Sequence, residues 1–276
     1  MFELIAIIAA LAFALGTFLT KGITTQISFQ KSIGPLFLFN ALFVSPIALF
    51  QRNWILTEPK ILMLHITGAI VSGLSAYLIF SIIARSTASV SAISSTLSPA
   101  VVLILAPLVL GTTIEKLQII FVLVLIGSTL YPLRSSIPGL RSVRTFTLTL
   151  SASFGTAFVA INIVMLGAEG VNFSETFIVR QVIAGIFFVA VFPPTGLNRS
   201  DLFALLKRTS FVSLGWITYI FALQGGEIIV IVAIISTISF WVLLFEAISQ
   251  RRFPERSTLI AAIIGVLGVS FLTYFT

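Results

Sequence analysis

The chain has no cysteine and a single histidine, His65, in 276 residues. Those two shortages exclude disulfide frameworks, thiol chemistry, haem attachment and His/Cys metal clusters. Charge is equally scarce. Asp, Glu, Lys and Arg together make up 9% of the sequence, where soluble domains carry about 25%. No water-facing surface can be built from so few charges over this length. The motifs that mark many enzymes are missing as well: there is no Walker loop, no GxGxxG after a strand, no HExxH and no GxSxG. Neither metal nor cofactor is expected. An intramembrane catalytic cluster would have only His65 and the lone aspartate, Asp201, to draw on.

What is present is overwhelmingly apolar. Hydrophobic residues account for 58% of the chain, and mean hydropathy is +1.15. A helix needs about 17–25 such residues to cross a bilayer. Runs of that kind predict helices near 3–20, 33–50, 61–84, 87–110 and 117–133, then 146–167, 175–192, 211–224, 228–246 and 258–275. The two-residue alternation of membrane barrel strands is absent. Glu3 stands where a secretory signal would carry positive charge, so the first run reads as a retained helix. Loops are brief, the longest near 193–210. The expected class is an all-α integral membrane protein of ten transmembrane helices, with lipid as its surroundings.

The net charge of +7 comes from Lys and Arg in short loops between apolar runs. That pattern signals topology and gives no basic face for nucleic acid. These residues crowd the loops after helices 1, 3, 5, 7 and 9, a bias that places both termini outside the cytoplasm.

The helices divide five and five about a linker at 135–144, giving one unit at 1–134 and another at 145–276. The halves echo each other at a shift of about 140 residues. Phe37-Leu38-Phe39-Asn40 aligns with Phe177-Ile178-Val179-Arg180, Leu15-Gly16-Thr17 with Phe154-Gly155-Thr156, and Gly127 with Gly268. An odd number of helices per half inserts the second copy upside down. Inverted repeats of this kind hold a ligand near the midplane between the halves.

On these residues the chain resembles the EamA family of the drug/metabolite transporter superfamily. The resemblance spans essentially the whole chain. It is carried by Ile83-Ala84-Arg85 leading into Ala88-Ser89-Val90, by Ser98-Pro99, and by Leu110-Gly111 leading into Glu115 and Gly127. In the second half Arg180, Gly225-Gly226-Glu227, Gly265 and Gly268 carry it. It implies two inverted five-helix repeats and a secondary transporter in the bacterial inner membrane, exporting amino acids or related metabolites. It also implies termini on the inside, against the charge bias. Two departures stand out. Gly111-Thr112 replaces the family's Gly-Glu turn, and the arginine of the second helix is Asn40 in the first repeat and Arg180 in the second. An intramembrane enzyme or lipid-handling protein, and a non-transporting scaffold, are the alternatives.

The candidate path follows from polar residues inside apolar runs. Thr87, Ser91, Ser94 and Ser98 lie on one helical stripe beside Pro99, which removes an N–H from the helix. Such a stripe suits the wall of a translocation path, or close helix packing. Arg180 has two readings: an anchor for a substrate anion, or a structural arginine paired with Glu175, Glu169 or a helix end. Asn40 can hydrogen-bond substrate or bridge helices. Tyr77, Trp216 and Tyr219 offer an apolar body with a polar tip. His65 and Glu227 are candidates for proton coupling, though each also suits a helix end.

Overall fold

The computed structural model describes residues 1–51, 54–85, 88–130 and 143–251, with Arg256, Ile260 and Ile264. The side chains of 88–95, 125 and 128–130 lie outside that description. So do Thr87 and most of the linker and of the expected tenth helix.

The described chain is helical, and no strand occurs among the described residues. The helices are α1 (Phe2–Gln26), α2 (Phe29–Ala48), α3 (Pro59–Arg85), α4 (Ala88–Leu110), α5 (Lys116–Leu130), α6 (Val143–Ala168) and α7 (Phe173–Val191). After them come α8 (Arg199–Gly225), α9 (Ile228–Ile235) and α10 (Ile238–Ser249). The last two are separated only by Ser236 and Thr237 and together make one span. Among the described residues six spans are long and apolar enough to cross a membrane: α1, α2, α3, α6, α7 and the α9–α10 unit. The protein is an integral membrane protein.

Local chemistry sets the ends. Pro59 opens α3, where a missing N–H costs nothing. Gly111, at φ 67°, takes the left-handed conformation that closes α4. Asn172 caps α7 by accepting a bond from the Glu175 amide. Asn198 and Asp201 form a reciprocal capping box at the head of α8. That box corrects one expectation. The segment near 193–210 is mostly helix and not the longest loop, because α8 begins at Arg199 and not at 211.

The buried face of α1 is built largely of small residues. Ala6, Ala9, Ala10 and Ala14 of α1 are fully buried, while Leu42, Phe43, Ile104, Leu108, Ile186 and Phe187 are exposed. The exposed apolar residues are the lipid-facing skin of the molecule. Helices α1 to α4 of the first half lean mainly on the second half, while α5 packs mainly on α4. α1 packs on α8 as α6 packs on α3; α1 meets α9 and α10 as α6 meets α4; α2 lies against α7. Glycines permit the close approach in the two equivalent contacts, α1 on α8 and α6 on α3. A Cβ on Gly16 would collide with a Val212 methyl, and one on Gly155 with the Ser75 hydroxyl.

Candidate functional site

A cavity of about 180 Å³ opens among these helices. A single water needs about 10–15 Å³ on this measure, so there is room for a small organic molecule. Its lining comes from α1, α2, α3, α4, α6, α8, α9 and α10, so both halves contribute.

The apolar wall is built by Phe13, Ile33, Leu36, Phe37, Ile79, Phe80, Val159 and the α9–α10 residues Val232, Ile235 and Ile238. Phe13 of α1 meets Trp216 edge-on at 5.3 Å between centroids and Tyr219 at 6.0 Å. Those edge-to-face contacts fix the aromatic corner, each worth about 0.5–1.5 kcal/mol beyond burial. The polar spots are Thr17, Asn40, Ser72, Ser75, Ser98, Thr156 and Arg208. Thr17 and Thr156 follow the paired glycines Gly16 and Gly155, so both halves offer a hydroxyl at corresponding positions.

Asn40 is 4% exposed and held from both ends. Its amide donates to Gln181 Oε1 at 3.2 Å, and its carbonyl oxygen accepts from the Ser213 hydroxyl at 3.0 Å. These bonds tie α2 to α7 and α8, and they fix the face Asn40 turns to the cavity.

Of the residues expected on the path, Asn40, Ser98, Trp216 and Tyr219 line the cavity. Ser91 and Ser94 lie on α4, with side chains outside the described residues. Tyr77 stacks on Phe188 and Phe192 instead, with centroids at 6.2 and 5.9 Å. Phe188 in turn stacks on the lining residue Phe37, so Tyr77 stands behind the wall.

Arg180 also stands one layer back. It is fully buried, and its guanidinium lies 5.9 Å from the Trp216 ring. Its Nη2 donates to Asn162 Oδ1 at 3.4 Å, and the Asn162 amide donates to the Leu64 carbonyl at 3.0 Å. Gly68 leaves the space Asn162 needs, since a Cβ there would strike the amide. Glu175 pairs with His65, not with Arg180: Nε2 to Oε1 is 3.5 Å, with neither side chain exposed. The other Glu175 oxygen accepts from the Ile55 amide at 3.1 Å. His65, Glu175, Asn162 and Arg180 thus make a polar knot joining α3, α6 and α7. Glu227 is elsewhere, exposed at the head of α9 and bonded to Gln118 of α5.

Arg208 escapes the sequence reading because α8 starts earlier than its apolar run. Counted as a loop charge, it instead lies more than two turns inside the helix. Asn198-x-x-Asp201 ahead of it is the capping signal that places the helix start.

Comparison with known proteins agrees with this architecture. No curated protein matches the sequence. Among solved structures 17 chains match. One crystal structure aligns over 99% of this chain and 96% of its own, with a TM-score of 0.77 at 14% identity, a likeness that speaks to fold alone. The sequence model of the EamA-like transporter family matches residues 1–132. That match places the chain in the drug/metabolite transporter superfamily, whose EamA-like members are membrane transporters.

Proposed function

We propose that this chain is a secondary transporter that moves a small amphipathic metabolite by alternating access. An amino acid or related compound leaving a bacterial cell through the inner membrane is the cargo and direction that the family likeness favours. The observation that carries the reading is the cavity itself, walled jointly by both halves of the chain.

Its architecture is ten helices in two inverted repeats, 1–134 and 145–276 joined through 135–144. The exchanged pairings support this, because α1 on α8 and α6 on α3 are the same contact seen from either half. So do Gly16 and Gly155, which sit at corresponding places in those contacts. With such symmetry, rocking one half against the other opens the cavity to alternate faces. Asn40, Ser98, Trp216 and Tyr219 contact the cargo, and Ser91 and Ser94 extend the hydroxyl stripe along α4. Tyr77 and Arg180 brace the wall from behind. The paired His65 is the candidate for proton coupling and Glu227 the second. No ATP-driven step is needed, since a gradient or an exchange partner supplies the work.

Solute counterflow in proteoliposomes tests the reading. Preloaded vesicles should accumulate labelled solute only when the protein is present, and Trp216→Ala should slow that exchange. A folded, reconstituted protein that exchanges no member of a broad metabolite panel would overturn it.

A further inference from the structure

Arg208 points to a ligand class. It lines the cavity from α8, with its guanidinium carbon 5.2 Å from the Phe80 ring centroid. Its Nε donates to the Thr20 hydroxyl oxygen at 3.0 Å. The Thr20 hydrogen is already committed to the Gly16 carbonyl at 2.6 Å, so Thr20 presents a lone pair to Arg208. Thr20 is a neutral acceptor, and Phe80 contributes only its ring face. Among the described residues no carboxylate stands within ion-pair distance of Arg208. The described lining contains no Asp, Glu, Lys or His. A cation at a largely apolar cavity without a counter-charge is a costly arrangement unless something anionic completes it.

We propose that Arg208 is the anion anchor of the cavity and that the ligand is a monocarboxylate with an apolar body. This inference rests on the cavity's being the cargo site. With Nε held by Thr20, the two Nη groups are left for the ligand, and a planar carboxylate suits such a fork. One cation balances one negative charge, whereas a phosphate dianion would call for a second cation in the lining. Phe13, Phe37 and Trp216 supply contact for the apolar part. The lining has no acidic residue to meet an ammonium group, so amines are disfavoured, and among amino acids and related compounds the fit is to a carboxylate without a free amino group.

The test is a thermal-unfolding titration of the full-length protein in detergent, in which ligands that bind the folded state raise Tm. The probes are straight-chain and branched aliphatic carboxylic acids, each beside its amide, its amine and its alkyl phosphate. Acids should raise Tm of the parent and of Lys207→Gln, an exposed neighbour outside the cavity. Arg208→Gln should bind them about tenfold to a hundredfold more weakly, the scale of a lost charge-assisted hydrogen bond. Arg208→Lys should recover part of that loss, which guards against a simple folding defect. Three results would overturn the proposal: no shift from any acid, equal shifts from acid and amide, or larger shifts from phosphates or amines. Acids that bind in Arg208→Gln as in the parent, and lose that binding in Trp216→Ala, would sink the anion anchor alone. The cavity would then still stand as the cargo site.

Discussion

Two arginines sit among the apolar helices, and the protein treats them differently. Arg180 is walled in, with Asn162 on one side, Trp216 on the other, and the His65–Glu175 pair in the same knot. Arg208 faces the cavity, with a neutral hydroxyl on Nε and an aromatic ring at its flank. The first has its polar surroundings supplied from within the fold. The second is left for something that comes and goes. A buried charge enclosed by its own protein belongs to the frame, even with Nη1 unbonded, and one facing the cavity belongs to the cargo.

Removing a member of the walled-in knot should cost most. Glu175→Ala leaves the buried Ile55 amide without its acceptor, takes the carboxylate away from His65 and opens a void between them, a combined cost of about 2–4 kcal/mol. Chemical unfolding in detergent would read this as a large fall in midpoint. A loss below about 1 kcal/mol would show the knot to be loosely held. Next comes the Asn40 bridge. Asn40→Leu strands Gln181 and Ser213, and each orphaned buried group costs about 1–3 kcal/mol. Adding Gln181→Leu should restore part of the stability, since two apolar partners no longer need each other.

The paired glycines should come third, and they sharpen the comparison between halves. Gly16→Ala drives a methyl into Val212, a branched side chain with little freedom, at a cost of about 1–3 kcal/mol. Gly155→Ala collides with the Ser75 hydroxyl and presses more lightly on its Cβ, so Ser75→Ala in the same chain should rescue most of the loss. If Gly16→Ala were harmless in a thermal melt, the tight α1–α8 contact would be wrong. The smallest effect is expected at Arg208. Arg208→Gln should change stability by less than about 1 kcal/mol in the absence of ligand, as for the loss of one ordinary hydrogen bond. A loss as large as that of Glu175→Ala would erase the distinction between the two arginines.

The spans were readable because apolar length is a strong signal, and α1 to α7 lie within a few residues of expectation. The signal fails where charge enters a helix. Arg199, Lys207 and Arg208 make the head of α8 look like a loop, although Asn198 and Asp201 cap it. It also says nothing of the break at Ser236-Thr237, because the apolar run passes straight through. For the site, a polar residue in an apolar run reveals that it must be satisfied but not by whom. Asn40, Ser98, Trp216 and Tyr219 reach the cavity, whereas Tyr77 and Arg180 turn to other partners. The deciding neighbours come from the opposite half of the chain, so helix pairing chooses between them. That choice is not written in any local stretch.

The same long-range pairing constrains how the molecule is made. α1 finds its main partner in α8, α2 in α7 and α3 in α6, so the first half emerges from the ribosome without the surfaces it will press against. At about 5–20 residues per second, roughly 200 residues separate the end of α1 from that of α8, a wait of about 10–40 seconds. Through that interval Asn40 and His65 have no Gln181, Ser213 or Glu175 to bond, and the alanine face of α1 lies open to lipid. Biogenesis therefore runs from the innermost pairing out to the outermost in time. α3 meets α6 first, α2 meets α7 next, and α1 waits longest, so a ribosome stalled before residue 199 would leave a membrane-inserted but unclosed half.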